Sequence, residues 1–263
     1  MSTHSRQFLA ILVLVALALG CGAPTTSTSA PTPPEPVAKK TAFQVSAAFR
    51  AYQKAAEDGD ADAQVAVGRG YEFGGLIPRD YVVAVRWYRL AAEQGSAGGQ
   101  RRLALMYHSG KGVAEDKKEA MKWYRLAAEQ GSAKACCDIA GMYLMGDGVP
   151  KDDGEALKWY RLAAERGSGY GQVVVGSEYL KGMLVPQDYA EANKWFLKAA
   201  RQGMHLAQYQ LAVSYDEGRG VPQDYSEAAK WWRKAAEWDS FYAPKMLEEM
   251  KQAGKLPEET ETP

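Results

Sequence analysis

The sequence predicts an all-α solenoid made of five consecutive helix-turn-helix repeats, with a half-repeat at each end. Two observations predict this fold class. First, residues of one type recur every 36 residues without insertion or deletion, most plainly the tryptophans Trp87, Trp123, Trp159, Trp195 and Trp231. Second, each unit carries two apolar stripes at helical spacing, separated by glycines. Self-similarity at a fixed period of this length indicates a stack of identical supersecondary units.

Four other columns of residues keep the same interval and the same register. They are the aspartates Asp80, Asp116, Asp152, Asp188 and Asp224; the tyrosines Tyr71, Tyr107, Tyr143, Tyr179 and Tyr215; the glycines Gly74, Gly110, Gly146, Gly182 and Gly218; and the paired alanines that begin at Ala91, Ala127, Ala163, Ala199 and Ala235. Chance does not produce five columns in one register. Each copy is therefore expected to repeat the same local structure.

Copy two shows how each unit divides into two helices. A first helix is predicted over about 97–109, because Leu103 and Tyr107 lie on one helical face, and Gly110 ends it in the left-handed conformation that glycine tolerates. Asp116 lies near the start of the second helix, where a carboxylate accepts unpaired backbone N–H groups. Trp123 lies on the apolar stripe of that second helix and is expected to fill the space between neighbouring helix pairs.

Copy five shows the unit well: Gly218-Arg219-Gly220-Val221, then Asp224, Trp231-Trp232 and Ala235-Ala236. These residues resemble the Sel-1-like repeat, a relative of the tetratricopeptide repeat, over about 60–253. The resemblance implies an α/α right-handed superhelical solenoid. The predicted boundaries are repeats at 60–95, 96–131, 132–167, 168–203 and 204–239, capping half-repeat helices at 42–59 and 240–254, and a disordered tail at 255–263.

The amino-terminal residues are expected to direct export. The apolar run from Phe8 to Leu19 is too short to span a bilayer and fits a secretory signal peptide over 1–20. Residues 17–21 resemble the bacterial lipobox, which implies a lipid on Cys21. Gly22 follows in place of Asp, which implies an outer-membrane lipoprotein whose body faces the periplasm or the cell surface. The alternative is an ordinary secreted protein with a stray cysteine. Residues 21–41 are rich in Pro, Thr and Ser and are predicted to be a disordered linker.

Composition gives no reason to expect nucleic-acid binding, because 32 basic and 32 acidic residues balance. Membrane contact is expected only through the lipid anchor. His108 and His205 have no cluster of carboxylates or cysteines at ligand spacing nearby, and no nucleophile–base arrangement or phosphate loop is present. The sequence therefore predicts no metal, no cofactor and no enzymatic activity. Cys136 and Cys137 are either small helix fillers or, in an exported protein, thiols that pair with another chain.

The resemblance to tetratricopeptide solenoids implies that the first helices line a concave face that binds extended peptides. The positions predicted to face this groove are Val65, Arg101, Leu105, His108, Cys137, Leu144, Tyr170, Val173, Leu180, Tyr209 and Val213. They are apolar in the last three copies, where a solvated face would be charged, and exposed apolar patches commonly mark partner sites. The alternative is that a different register buries them. Second helices interleave Lys and Arg with Glu, which is typical of a solvated face with weak ion pairs.

The function predicted from these features is that of a non-enzymatic scaffold at the bacterial cell envelope, binding a protein or peptide partner. One alternative is a lipoprotein that recognises peptidoglycan in the same groove. A second is a hydrolase similar to a β-lactamase. A cysteine-rich Sel-1-like subfamily linked to penicillin binding carries a disulfide in each repeat, and this sequence lacks those cysteines.

Overall fold

The computed structural model describes residues 47–75, 77–239 and 241–256, and every regular element in these ranges is an α-helix. The predicted signal peptide, Cys21 and the linker lie outside the described residues. The helices are α1 (47–57), α2 (Ala61–Phe73), α3 (Tyr81–Glu93), α4 (Ala97–Ser109), α5 (Lys117–Glu129), α6 (Ala133–Met145), α7 (Asp153–Glu165), α8 (Gly169–Lys181), α9 (Tyr189–Arg201), α10 (His205–Glu217), α11 (Tyr225–Ala236) and α12 (Tyr242–Gln252). Within these ranges, none of the helices has both the length and the apolar character required to cross a bilayer.

The helices pack in chain order, as a solenoid requires. From α2 onward each helix packs against the next, and α2 also contacts α4 directly. The even-numbered helices α2 to α10 are the first helices of five pairs, and the odd-numbered helices α3 to α11 are the second helices. The predicted all-α solenoid is confirmed.

The repeating aspartate fixes the start of every second helix. In copy two, the Asp116 carboxylate accepts a hydrogen bond from the Glu119 N–H at 2.9 Å, and the Asp116 N–H donates to the Tyr107 carbonyl at 2.9 Å. The same two bonds recur in the other four copies, at Asp80, Asp152, Asp188 and Asp224. The predicted capping role of this column is thus confirmed. The same aspartate also joins the end of the loop to the first helix through its backbone N–H.

The most buried aromatic of each copy is the residue after the repeating tryptophan. These side chains are at most 6% exposed: Tyr88, Tyr124, Tyr160, Phe196 and Trp232. Trp123 is half-buried and packs against the cores of the copies on either side, as predicted for a residue between helix pairs. It does not fill the centre of the core. Adjacent residues on a helix point about 100° apart, so a 36-residue interval does not decide which of two neighbouring aromatics lies deeper.

A buried ladder of glutamines links successive copies, and the sequence analysis missed it. In copy two, Gln100 Nε2 donates to the Ala92 carbonyl at 3.4 Å, and Gln130 Nε2 donates to Gln100 Oε1 at 2.7 Å. Equivalent bonds join Gln64 with Gln94 and Gln172 with Gln202. Buried amides are retained where their polar atoms find partners, which explains why these glutamines keep the repeat interval.

Copy three keeps this connection with different residues. Cys136 stands where the buried glutamine is expected, and Arg166 stands where its donor glutamine is expected. Arg166 Nη1 donates to the Ala128 carbonyl at 2.6 Å and lies 3.1 Å from Cys136 Sγ. Because the Cys136 side chain is small, the long Arg166 side chain can extend beyond it. The guanidinium then donates to the carbonyl that accepts from a glutamine amide in the other copies. The two replacements compensate each other.

This compensation predicts the behaviour of a pair of variants. Arg166→Ala removes the guanidinium hydrogen bond to the Ala128 carbonyl, which keeps its bond from the Gly131 N–H. The free energy of unfolding is expected to fall by ~1.5–3 kcal/mol, the range for a hydrogen bond to a charged group. The double change Cys136→Gln with Arg166→Gln restores the ladder and is expected to unfold near the wild-type urea midpoint. An Arg166→Ala midpoint equal to that of the wild type would contradict the proposed link.

The carboxyl-terminal end differs from the predicted disordered tail. Leu256 packs partly against the core of copies four and five, and Lys255 Nζ lies 3.4 Å from Asp216 Oδ1. The prediction that the tail begins at residue 255 is wrong for these two residues, because an apolar side chain and an ion pair hold them on the last repeats.

Candidate functional site

Ten of the eleven predicted groove residues are half-buried on the first helices. They are Val65, Arg101, Leu105, His108, Cys137, Leu144, Tyr170, Leu180, Tyr209 and Val213. Val173 is 2% exposed, and the prediction that it offers groove surface is wrong. Its short branched side chain stays in the core that joins copies four and five, whereas the longer Arg101 reaches outward from the same repeat position.

Ion pairs occupy the first-helix face of copies one to three. Arg101 Nε lies 2.5 Å from Asp138 Oδ2, and Arg102 Nη1 lies 3.2 Å from Glu72 Oε2. Each pair joins the first helices of neighbouring copies. Burial raises the pKa of Asp138, and the Arg101 guanidinium opposes that rise. Arg101, predicted as a free groove residue, is therefore already engaged within the protein.

His108 also has an internal partner. Its Nε2 lies 2.6 Å from Asp147 Oδ2, and Lys117 Nζ lies 2.5 Å from Asp147 Oδ1. Burial alone would raise the pKa of Asp147, but the hydrogen bonds from Lys117 and His108 hold that pKa below its usual value. The sequence spacing gave no sign of Asp147, because stacking brings it to His108 from the loop of the next copy. Across the described residues, no three His, Cys, Asp or Glu side chains are grouped to hold a metal.

The face becomes more apolar in copies three to five, although copy five has Asp216, paired with Lys255, at the position of Leu144 and Leu180. Leu144 and Leu180 occupy the same position of successive repeats, and Tyr170, Tyr209 and Val213 continue the apolar surface. Leu180, Tyr209 and Val213 rest against the core of copies four and five on one side. Leu144 packs against none of the hydrophobic cores of the described residues. It is therefore the apolar groove residue least committed to holding the fold together.

The predicted apolar groove residues of copies one and two contribute mainly to the core. Val65 packs against the core of copies one and two, and Leu105 packs between the cores of copies one to three. Tyr170 and Tyr209 contact buried aromatic side chains. The ring centroids of Tyr170 and Tyr160 are 5.7 Å apart, and those of Tyr209 and Trp232 are 5.0 Å apart. Both tyrosines are half-buried and pack on a neighbouring aromatic ring.

The two cysteines have different surroundings. Cys136 is fully buried, so the predicted pairing with another chain is wrong for this residue. Cys137 is half-buried with its Sγ 3.4 Å from Ser168 Oγ, and burial raises the pKa of its thiol to about 11. A thiol in that state is a weak nucleophile near neutral pH. Intermolecular pairing through Cys137 stays a prediction.

The second helices form the predicted solvated face. One lysine–glutamate pair recurs in each of copies two to five, with an N–O distance of 2.5–2.8 Å: Lys122–Glu119, Lys158–Glu155, Lys194–Glu191 and Lys230–Glu227. The lysines are well exposed, and pairs of this kind contribute little to stability. Leu126, 41% exposed, lies on this face.

Comparison with known proteins agrees with the repeat. The model of the Sel1 repeat family matches residues 46–60, 61–96, 97–132, 133–168, 169–204 and 205–237. A Sel1 repeat protein from Oxalobacter formigenes is 39% identical, with a TM-score of 0.73 over 77% of this chain and 58% of its own. The protein c5321, a protective antigen present in uropathogenic Escherichia coli strains displaying an SLR fold, is 37% identical, with a TM-score of 0.69 over 78% of this chain and 44% of its own.

This chain thus spans about half the length of these two solved relatives. No functionally curated protein matches it. The family model nevertheless covers most of the chain, and its segments fall on the helix pairs that the capping aspartates and the glutamine ladder connect. The chain belongs to the Sel1 repeat family.

Proposed function

We propose that this protein is a non-enzymatic scaffold of the bacterial cell envelope that binds a protein or peptide on the first-helix face of copies three to five. Sel1 repeat proteins are generally protein-interaction scaffolds. The observation that supports this particular face is its apolar surface, in which Leu144 and Leu180 are half-buried at one repeat position and Leu144 lies outside the core.

The contrast along the face supports a defined binding region. In copies one to three the polar side chains satisfy one another through Arg101–Asp138, Arg102–Glu72 and His108–Asp147. A partner gains little by displacing such pairs, because both charges would then be desolvated without compensation. Copies three to five instead offer apolar area and two half-buried tyrosines, the kinds of group that dominate binding energy at interfaces.

Changing Leu144 to glutamate tests this assignment. The variant is expected to lose partner capture by about tenfold or more, since a charge would enter the centre of an apolar contact. The full chain is used as bait with extracts of the native envelope, and the captured protein is quantified by mass spectrometry. Leu126→Glu, the same change on the second-helix face, is the matched control and is expected to capture as well as the wild type.

The result distinguishes the proposal from its rivals. If Leu144→Glu captures as well as Leu126→Glu while both melt at the wild-type temperature, the site is elsewhere. If soluble peptidoglycan fragments bind the wild type and Leu144→Glu abolishes that binding, the groove recognises cell wall and the protein-binding proposal fails.

The envelope location rests on the lipobox-like residues 17–21 and the linker that follows. Cys21→Ser is expected to give a protein that incorporates no radiolabelled palmitate and leaves the membrane fraction, because the acyl chains supply the membrane affinity. Cys137→Ser is the control and is expected to remain in the membrane. A wild-type protein that takes up no label and stays in the soluble fraction would contradict the anchor.

A further inference from the structure

The carboxyl-terminal end of the first-helix face carries a shallow aromatic pocket. His205, Leu206 and Tyr209 of α10, Ala235 of α11, and the following Trp238 and Asp239 surround a cavity of about 310 Å³. Trp238 is 70% exposed, and the His205 ring stacks on it with centroids 4.3 Å apart. The pocket lies at the end of the apolar surface described above, because Tyr209 belongs to both.

Repeat register shows that Trp238 has no part in the glutamine ladder. Its position corresponds to Gln94, Gln130 and Gln202, each of which donates to a buried glutamine of the preceding first helix. In copy five the equivalent acceptor, Gln208 Oε1, is buried without a hydrogen-bond partner in the described residues. Trp238 therefore does not replace the structural contact of the residue it stands for, and its ring faces solvent instead.

Three other aromatic rings of the second helices carry a lysine of the protein itself. Lys198 Nζ lies 4.1 Å from the Trp195 ring centroid, Lys234 Nζ lies 4.6 Å from that of Trp231, and Lys255 Nζ lies 4.7 Å from that of Tyr225. No such cation lies over Trp238 within the part of the chain that the structure describes. An exposed tryptophan face attracts cations more strongly than the other aromatic side chains do.

The charges at the pocket are negative. The Asp239 carboxylate accepts hydrogen bonds from the backbone N–H groups of Phe241, Tyr242 and Ala243 at 3.0 Å, and these bonds lower its pKa and keep it ionised. Burial and the hydrogen bond with Tyr242 raise the pKa of Tyr209, and the negative charges of Asp239 and Glu217 add to that rise. A cation entering the pocket would therefore meet both the Trp238 ring face and the Asp239 carboxylate.

We propose that this pocket binds the lysine or arginine side chain of a peptide lying on the first-helix face, with the cation over the Trp238 ring and Asp239 as its counter-charge. The inference rests on the proposed function, since it names the chemistry of that partner at one end of the groove. It also sets where each kind of peptide side chain binds along the groove: apolar side chains lie toward Leu144, and a basic side chain lies at copy five.

The test uses the full chain with nitrogen-15 label and two short capped alanine peptides. One carries a central arginine, and the other carries citrulline, which has the same shape without the charge. The indole N–H resonance of Trp238, assigned by its disappearance in Trp238→Leu, is expected to shift saturably with the arginine peptide. Affinity for the citrulline peptide is expected to be about fivefold lower.

Variants separate the contributions. Trp238→Leu should reduce arginine-peptide affinity by about tenfold, measured by displacement of a fluorescent copy of the peptide. Asp239→Asn retains a helix-capping side chain and should lower the affinity and its dependence on salt. Phe241→Leu, a 77% exposed aromatic outside the pocket lining, is the control and should bind normally.

Equal affinity for the two peptides, or saturable binding of an amino-sugar oligomer with no response to the arginine peptide, would overturn the inference. If Trp238 does not respond while Leu144→Glu still abolishes capture of the native partner, only the pocket assignment fails. If Leu144→Glu has no effect on capture, the proposed function fails whatever Trp238 does.

Discussion

Replacing Phe196 with alanine is expected to lower the free energy of unfolding by ~3–5 kcal/mol, the range measured for deletion of a fully buried aromatic side chain. Phe196 is 0% exposed and lies in the core that joins copies four and five. Its ring is so close to the helix in front of it that a Cβ added at Gly176 would lie 2.8 Å away. The surrounding backbones cannot collapse fully onto the vacated volume, so a cavity remains.

Trp195→Ala is the matched control, because it removes a larger aromatic from the adjacent position. Trp195 is only half-buried, with Lys198 over its ring, so its loss is expected to cost less than that of Phe196. Urea unfolding followed by circular dichroism measures both. Equal midpoints for the two variants, or a larger loss for Trp195→Ala, would contradict the assignment of the core to the residue after the repeating tryptophan.

Gly112→Ala is expected to cost more than Gly110→Ala, although both glycines have a left-handed backbone with φ near +70°. The left-handed conformation costs a non-glycine residue ~1–2 kcal/mol at either position. At Gly110 a Cβ would lie 3.3 Å from the Glu115 Cβ, which is tight but adjustable. At Gly112 it would overlap the backbone carbonyl of Tyr81 in the preceding copy, which adds ~1–3 kcal/mol.

The comparison separates a local turn requirement from contact between copies. Thermal unfolding of the two variants is the measurement, with Gly131→Ala as a third variant, because Gly131 has a positive φ but open space around it. Gly110→Ala and Gly131→Ala are expected to lose similar amounts, and Gly112→Ala more. Equal losses of thermal stability in the three variants would show that the loop of copy two does not pack against the start of α3.

Much of the fold could be predicted from the sequence because the same 36-residue pattern occurs in five copies. Asp116 caps α5 and Gly110 ends α4 through bonds within a few residues, and local bonds of this kind follow from spacing. Contacts between copies do not. The pairing of His108 with Asp147 joins residues 39 apart in two copies, and only the stacking geometry brings them together. Nor does the interval distinguish Trp195 from Phe196, because both recur.

The groove was predictable as a set of helix positions, but its chemistry was not. Arg101 and Leu144 lie on the same face, yet Arg101 is neutralised by Asp138 whereas Leu144 remains outside the core. Val173 is buried because its neighbours in copies four and five close over it. Trp238 stands at a repeat position where Gln94, Gln130 and Gln202 form the ladder, and the role of that position follows only from the hydrogen bonds of the folded chain.

Photo-crosslinking from residue 144 in intact cells tests the central claim most directly. A benzoylphenylalanine is placed at Leu144, and a second strain carries it at Leu126 on the second-helix face. We expect one discrete protein adduct from position 144 that is absent from position 126 and is lost when Leu180→Glu is added. Adducts of equal yield from both positions, or none from position 144 in a folded and membrane-associated protein, would contradict binding on the first-helix face.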